Sequence, residues 1–241
     1  MDTPQPPRTD KHAVTITTGD AVLAGDLGMR PDARGIVVFA HGSGSSRHSP
    51  RNRFVAGALR EAGLATLLMD LLTAVEETED MRTGALRFDI GLLARRLIGA
   101  TDWLIQQPET HALPIGYFGA STGAGAALVA AAERPETIRA VVSRGGRPDL
   151  AGLMLAQVRA PTLLIVGGED QPVIQMNRDA MRQMHAQTQL EIVPGATHLF
   201  EEPGALEQVA IRARAWFAQH LAGVHPPSED IRALDAEQQP G

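Results

Sequence analysis

Residues 115–133 read IGYFGASTGAGAALVAAAE. An apolar run, Ile115–Gly119, ends in Gly119-Ala120-Ser121-Thr122-Gly123, and a run of small residues follows. The pentapeptide is G-x-S-x-G. Set between a strand and a helix, Ser121–Glu133, it predicts a sharp turn that holds Ser121 in strained backbone geometry with its hydroxyl presented to a site. Side chains two residues before and two after the serine would collide there, and Gly119 and Gly123 have none. Ala124, Gly125, Ala126 and Ala127 let the helix lie close to the sheet. The same letters fit a serine N-cap in a glycine-rich turn, but the flanking elements favour the strained turn.

Outward from this stretch, strand-like and helix-like segments alternate. Ala13–Thr18 and Ala21–Leu27 flank Gly19-Asp20 and predict a hairpin. Gly35–Ala40 (GIVVFA) and Leu64–Asp70 (LATLLMD) are apolar enough for strands buried on both faces. A helix with proline in its first turn runs from Pro50 to Ala62 between them. Residues 71–82 read as an irregular, solvated acidic segment or a small flap, carrying Glu76, Glu77, Glu79 and Asp80. Leu86, Ile90, Leu93, Leu97, Ala100 and Leu104 then form one stripe on a helix over Thr83–Gln107. Beyond the serine, strands are expected at Ala140–Ser143, Thr162–Gly167 and Leu190–Val193, and helices at Val173–Ala186 and Pro203–Leu221. The alternation specifies an α/β protein: a mostly parallel central sheet with an N-terminal antiparallel hairpin and helices on both faces. Ligands of such sheets bind beyond the carboxyl ends of the strands, which directs attention to residues 41–49, 71–82, 120–123, 144–149, 167–172 and 194–200.

The 241 residues suit one domain, expected over residues 13–221 between loose tails at 1–12 and 222–241. Hydrophobic residues make up 44%, enough for one large core. The net charge of −6 argues against a nucleic-acid grip. Half of it lies in residues 222–241, where Glu229, Asp230, Asp235 and Glu237 face only Arg232. Of 22 basic residues, Lys11 alone is lysine, so arginine clusters carry less information than usual. The absence of cysteine excludes disulfides, thiolate metal sites and a cysteine nucleophile, and fits a cytoplasmic enzyme. No run reaches the roughly 18–20 apolar residues of a membrane span, and MDTPQPPRTD has no signal-peptide core. Neither G-x-G-x-x-G nor a Walker motif occurs. With no His-x-x-Glu-His either, the expectation is a metal-free and cofactor-free site.

A serine hydroxyl needs a base. In chains with this serine turn, the acid and then the histidine follow the nucleophile. Of His185, His198, His220 and His225, only His198, in VPGATHLF, lies in a loop just after a strand. Asp170, in LLIVGGEDQPV, directly follows the strand Thr162–Gly167, where a carboxylate can hold the imidazole. Glu169 and Asp149 compete for that role, and Asp149 also fits a helix N-cap. The developing oxyanion needs backbone N–H donors. One is Thr122, after the nucleophile, and the other comes from His41-Gly42-Ser43-Gly44-Ser45-Ser46, with Ser43 preferred and Gly44 next. His41 is expected to hold this loop rather than to carry protons.

Strand–HGSG loop, strand–GASTG–helix, strand–GGED and strand–GATH occur in the order of the α/β-hydrolase superfamily, and the chain resembles it over residues 13–221. More narrowly, it is similar to the dienelactone-hydrolase-like group. It also looks like the hydrolase module that some bacterial proteins carry beside a phosphoribosyltransferase domain. The resemblance implies an α/β-hydrolase fold and hydrolysis of small carboxylic esters. Dienelactone hydrolases proper use cysteine, whereas this chain offers Ser121, so the broader ester chemistry transfers better than dienelactone itself. Large caps of the superfamily follow the sixth strand. Here Arg144–Pro161 holds one short helix, which implies little or no cap.

Arg47, Arg51, Arg53, Arg144 and Arg147 fall near strand ends. Arg144 and Arg147, in SRGGR, are the better candidates for clamping a substrate carboxylate or phosphate, against local pairing with Glu169 or Asp149. The reading is a serine esterase acting through an acyl-enzyme on a small-molecule ester, as a monomer or homodimer without nucleic-acid or membrane partners. Acyl transfer, thioester or lactone cleavage on the same triad, and a non-catalytic receptor or accessory module, are the alternatives.

Overall fold

The computed structural model describes residues 10–19 and 21–221. Their eight strands are β1 (Asp10–Thr18), β2 (Ala21–Met29), β3 (Ile36–Ala40), β4 (Ala65–Met69), β5 (Ile115–Ala120), β6 (Ile138–Arg144), β7 (Thr162–Gly167) and β8 (Thr188–Val193). They form one sheet in the order β1-β2-β4-β3-β5-β6-β7-β8. The β1–β2 and β2–β4 pairs are antiparallel, and every later pair is parallel. The helices are α1 (Pro50–Glu61), α2 (Ala74–Thr83), α3 (Ile90–Gln106), α4 (Thr122–Glu133), α5 (Gln171–Met181) and α6 (Ala205–Leu221).

The period of two along a strand divides the core. Ile36, Val38 and Ala40 of β3 face one cluster with Leu97 of α3 and Leu128 of α4. Val37 and Phe39 face the other, with Leu59 of α1 and Phe217 of α6. Strands covered on both faces read as unbroken apolar runs for this reason. Burial of a side chain such as Phe39 or Phe217 contributes about 1.5–3 kcal/mol. Helix α6 approaches so closely that a Cβ on Gly116 would lie 2.8 Å from the Phe217 ring.

Several boundaries differ from the sequence reading. β1 begins at Asp10, inside the segment expected as a tail, because its pairing with β2 continues to Asp10–Met29. Residues 1–9 and the expected tail 222–241 lie outside the described residues. Helix α5 ends at Met181, five residues before Ala186. The segment after β6 holds 3-10 turns over Pro148–Gln157, kinked at Gly152, and no cap.

The largest correction concerns residues 71–82, which contain a helix rather than an irregular loop. Thr73 caps α2: its hydroxyl accepts from the Glu76 N–H at 3.2 Å, and the Glu76 carboxylate accepts from the Thr73 N–H at 2.7 Å. Glu76 also binds Arg96 at 2.7 Å. Asp80 is 3% exposed and accepts from the Leu86 and Arg87 N–H groups. These carboxylates are therefore structural, not solvated. Gly84, at φ +66°, ends α2 in a left-handed conformation, and Asp89 starts α3 by accepting from the Leu92 N–H at 2.9 Å. The expected single helix from Thr83 thus begins at Ile90, and Leu86 sits in a short 3-10 turn before it. Thr73→Ala removes half of the reciprocal cap and is expected to destabilise the protein by about 1 kcal/mol, read as a lower urea midpoint at unchanged m-value.

Candidate active site

Ser121 stands between β5 and α4 at φ +50° and ψ −120°, a region that non-glycine residues rarely occupy. Its surroundings over-determine that conformation. The Ser121 N–H donates to the Arg144 carbonyl at 3.2 Å, and the Ser121 carbonyl accepts from the N–H groups of Ala124 and Arg147, both at 3.1 Å. A Cβ on Gly119 would stand 2.4 Å from Ala124 Cα. One on Gly123 would stand 2.4 Å from both the Ala40 and His41 carbonyl oxygens. The two glycines are thus required by the close approach of helix, strand and neighbouring loop.

His198 lies in the loop after β8. Its Nδ1 is 2.7 Å from Asp170 Oδ2. Donation from Nδ1 to the carboxylate leaves Nε2 with its lone pair available. Asp170 occupies the N-cap position of α5, yet its side chain makes no cap bond. The loops are clamped by Gly168 N–H to Val193 O at 2.8 Å and Glu169 N–H to Ala196 O at 3.0 Å. The competing acids are engaged elsewhere or turned outward: Asp149 holds Arg147, and Glu169 is exposed. Among the other histidines, His185 is exposed beside Ala132 and Arg159. His220 packs on Trp216. His225 lies outside the described residues.

The loop after β3 passes over the turn, with a Gly42 Cβ position 3.2 Å from Ser121 Cβ. His41 anchors it. The Leu71 N–H donates to His41 Nε2 at 3.1 Å, so the ring proton sits on Nδ1 and points to the Gly42 carbonyl at 2.9 Å. Burial lowers the His41 pKa and keeps the ring neutral. The N–H of Thr122 is at the first position of α4, where it has no intrahelical partner. The expected second donor is not open: the Ser43 N–H donates to Thr122 Oγ1 at 2.9 Å.

Two cavities meet at this loop. One, of about 250 Å³, is lined by Ser43, Arg51, Asn52, Ser121, Arg144 and His198 among others. It brings the serine and histidine together with Arg144. The second, of about 230 Å³, lies on the Thr122 side, with Leu71, Leu72, Met81 and Leu93 as its apolar wall. Gly44 lines this second cavity and not the first, which separates it from Ser121. Arg147 is also corrected. Its Nε and Nη2 donate to the two Asp149 carboxylate oxygens, at 2.8 and 2.7 Å, so it braces its own loop. Arg47 is paired with Asp70 and Arg53 with Asp26. Phe200 and Asn52 escaped the sequence reading, the first because an aromatic in an apolar loop carries no chemical signature, the second because it sits inside α1.

Sheet order, the strained serine turn and the His198–Asp170 pair define an α/β-hydrolase. A model of the dienelactone hydrolase family matches residues 20–221, and the chain belongs to that family. It is 63% identical to a dienelactone hydrolase from Anabaena variabilis, with a TM-score of 0.87 over 88% of this chain and 98% of that one. Est1E from Butyrivibrio proteoclasticus, 17% identical, shares the fold at a TM-score of 0.73 over 87% of this chain and 99% of its own. A Mycobacterium tuberculosis protein named "putative phosphoribosyl transferase" is 61% identical over 221 residues, 92% of this chain. The chain spans about half the length of the curated relatives it matches.

Gly123→Ala tests the packing of the turn. Its methyl group overlaps two backbone carbonyls, so the variant is expected to lose roughly 1–3 kcal/mol of stability, measured by thermal unfolding, and to lose fluorophosphonate labelling of Ser121 at temperatures where it is folded.

Proposed function

We propose that the chain is a serine hydrolase that cleaves small carboxylic esters through an acyl-enzyme on Ser121. The observation that carries this reading is a strained, cavity-facing serine that shares its cavity with a histidine oriented by a carboxylate. Ser121 Oγ attacks the ester carbonyl carbon as His198 Nε2 accepts its proton. Asp170 holds the ring and stabilises the imidazolium. Negative charge develops on the carbonyl oxygen and is met by the Thr122 and Ser43 N–H groups. For this, the oxygen replaces or shares the Thr122 hydroxyl as acceptor of the Ser43 N–H. Collapse expels the alcohol, protonated by His198, and leaves an ester on Ser121. A water deprotonated by His198 then releases the acid and restores the serine.

The family and the Anabaena relative support hydrolase chemistry. Oxygen in place of a thiolate at the nucleophile shifts the reading from dienelactone toward ordinary esters, since a hydroxyl depends fully on its base. In the half-length match, we assign the hydrolase to the half that this chain spans and the transferase name to the half it does not.

A fluorophosphonate probe is expected to add to Ser121, located by mass spectrometry of the labelled peptide. His198→Ala is expected to lower kcat on p-nitrophenyl acetate by about 10⁴-fold, as disabling a triad base does, with folding intact by circular dichroism. His185→Ala is expected to stay within about twofold of the parent, since it lies outside the cavity. Labelling on Ser43 or Ser45, or equal losses from the two histidine variants, would sink the assignment.

A further inference from the structure

The geometry points to an anion subsite built on Arg144 in the cavity of Ser121, which makes esters carrying a carboxylate or phosphate the substrate class of this site. The inference rests on the ester-hydrolase reading and adds to it which esters are taken.

Arg144 ends β6, and its carbonyl oxygen holds the Ser121 N–H, so its position is tied to the nucleophile. Its residue is 7% exposed. Nε and Nη1 are buried with no hydrogen-bond partner among the described residues. Other arginines near strand ends have carboxylates: Arg47 has Asp70, Arg53 has Asp26, Arg87 has Asp80 and Arg147 has Asp149. No ion pair is found for Arg144 among the described residues. The charged neighbour that acts on it is another cation, Arg51, which lines the same cavity. Arg51 gives Nη1 to Glu201 at 3.0 Å, and its own Nε is buried without a partner among the described residues.

Burial, then the Arg51 charge, push the Arg144 guanidinium down to about 10. It therefore still carries its proton at neutral pH. A buried charge without a counter-ion is costly, and an apolar side chain of similar volume would avoid that cost. The Phe200 ring, with its centroid 5.9 Å from Arg144 Cζ, compensates only part of it. A bound oxyanion supplies the missing partner, and the planar guanidinium fork can meet it through two parallel bonds. The neighbouring cavity differs, because its cation is already paired. Asp70, Glu77 and Asp80 line it against Arg87, beside the apolar wall. With the ester carbonyl at Ser121, an anionic end is drawn to Arg144 rather than into the second cavity, whose Arg87 is already closed on Asp80, so the charge also sets the direction of binding.

Two ester pairs, each an anionic ester with a neutral counterpart, test this and distinguish the source of the charge. For an anion on the acyl part, p-nitrophenyl hemisuccinate is compared with p-nitrophenyl valerate. For an anion on the alcohol part, 1-acetylglycerol 3-phosphate is compared with 1-acetylglycerol. In at least one pair the anionic member is expected to have a kcat/KM higher by on the order of 10- to 100-fold, the scale of a charge-assisted hydrogen bond. Arg144→Gln should erase that preference, and Arg144→Lys should restore part of it. Equal kcat/KM within both pairs for the parent protein overturns the subsite, as does an Arg144→Gln variant that lowers both members equally and keeps the preference. The parent comparison stands even where a variant fails to fold. If no ester is turned over and Ser121 resists the probe, the ester reading fails by itself, and binding decides the subsite. Succinate or inorganic phosphate should then raise the Tm of the full chain above that in chloride of equal ionic strength. The Arg144→Gln variant should lose that rise. No rise in the parent protein overturns the subsite.

Discussion

The site depends on a single steric constraint: β5 must pass into α4 within one residue, and that residue must take φ near +50°. A non-glycine residue there costs on the order of 1–3 kcal/mol, and it persists only because its neighbours leave no alternative. Those neighbours are the two strands beside β5. β3 and the first residue after it contribute the carbonyls of Ala40 and His41, against which Gly123 packs, and β6 contributes the Arg144 carbonyl that fixes the Ser121 N–H. The loops leaving these strands then necessarily border the serine hydroxyl. Ser43 follows from β3 and Arg144 from β6, so the strand order β3-β5-β6 sets the composition of the cavity.

The histidine and its carboxylate are organised in the same manner one strand further out. β7 and β8 are adjacent and parallel, so their outgoing loops run side by side. A Cβ on Gly167 would lie 2.4 Å from the Ala196 carbonyl, which shows how tightly those loops pack. Asp170 is at the start of α5, where an aspartate ordinarily caps the helix. Its carboxylate turns to His198 instead, and the helix goes without that cap bond. Local helix stability is given up for the orientation of one imidazole.

The parts of this arrangement that were legible in the sequence are those set by short-range rules. Apolar runs bounded by glycine marked β3, β4, β5 and β7, and G-x-S-x-G marked the turn, because both patterns follow from sterics within a few residues. His198 could be separated from His185 and His220 because it follows a strand, whereas His185 lies between α5 and β8, ahead of the strand, and His220 lies in α6. The capping box of α2 was equally short-range. Thr73 and Glu76 stand three apart in the pattern that starts a helix, but the density of acidic residues after them masked it, and charge was read as solvation. For the arginines the sequence offered both a clamp and local pairing with Asp149 or Glu169, and could not assign them. Arg144 and Arg147 flank two glycines in one pentapeptide, yet among the described residues one is buried without a counter-ion and the other closes on Asp149. Nothing within the pentapeptide distinguishes them. The difference arises from where β6 ends relative to β5 and β7, a long-range property of the sheet.

The bond from the Ser43 N–H to Thr122 Oγ1 joins these levels. It stands where the two cavities meet, one cationic and holding Ser121, the other apolar with carboxylates at its edge. An amide left unpaired in such a place would cost desolvation energy in the resting protein, and the hydroxyl of the residue after the nucleophile satisfies it. That satisfaction is neutral and weak compared with what a developing oxyanion offers, because hydrogen bonds to charged acceptors are roughly twice as strong. On the ester chemistry proposed above, the donor held in place at rest would pass to a better acceptor as charge builds on the substrate. In that proposed reaction, preorganisation of this kind would favour the transition state over the bound ester, because a neutral carbonyl competes with the Thr122 hydroxyl on nearly equal terms and an oxyanion does not.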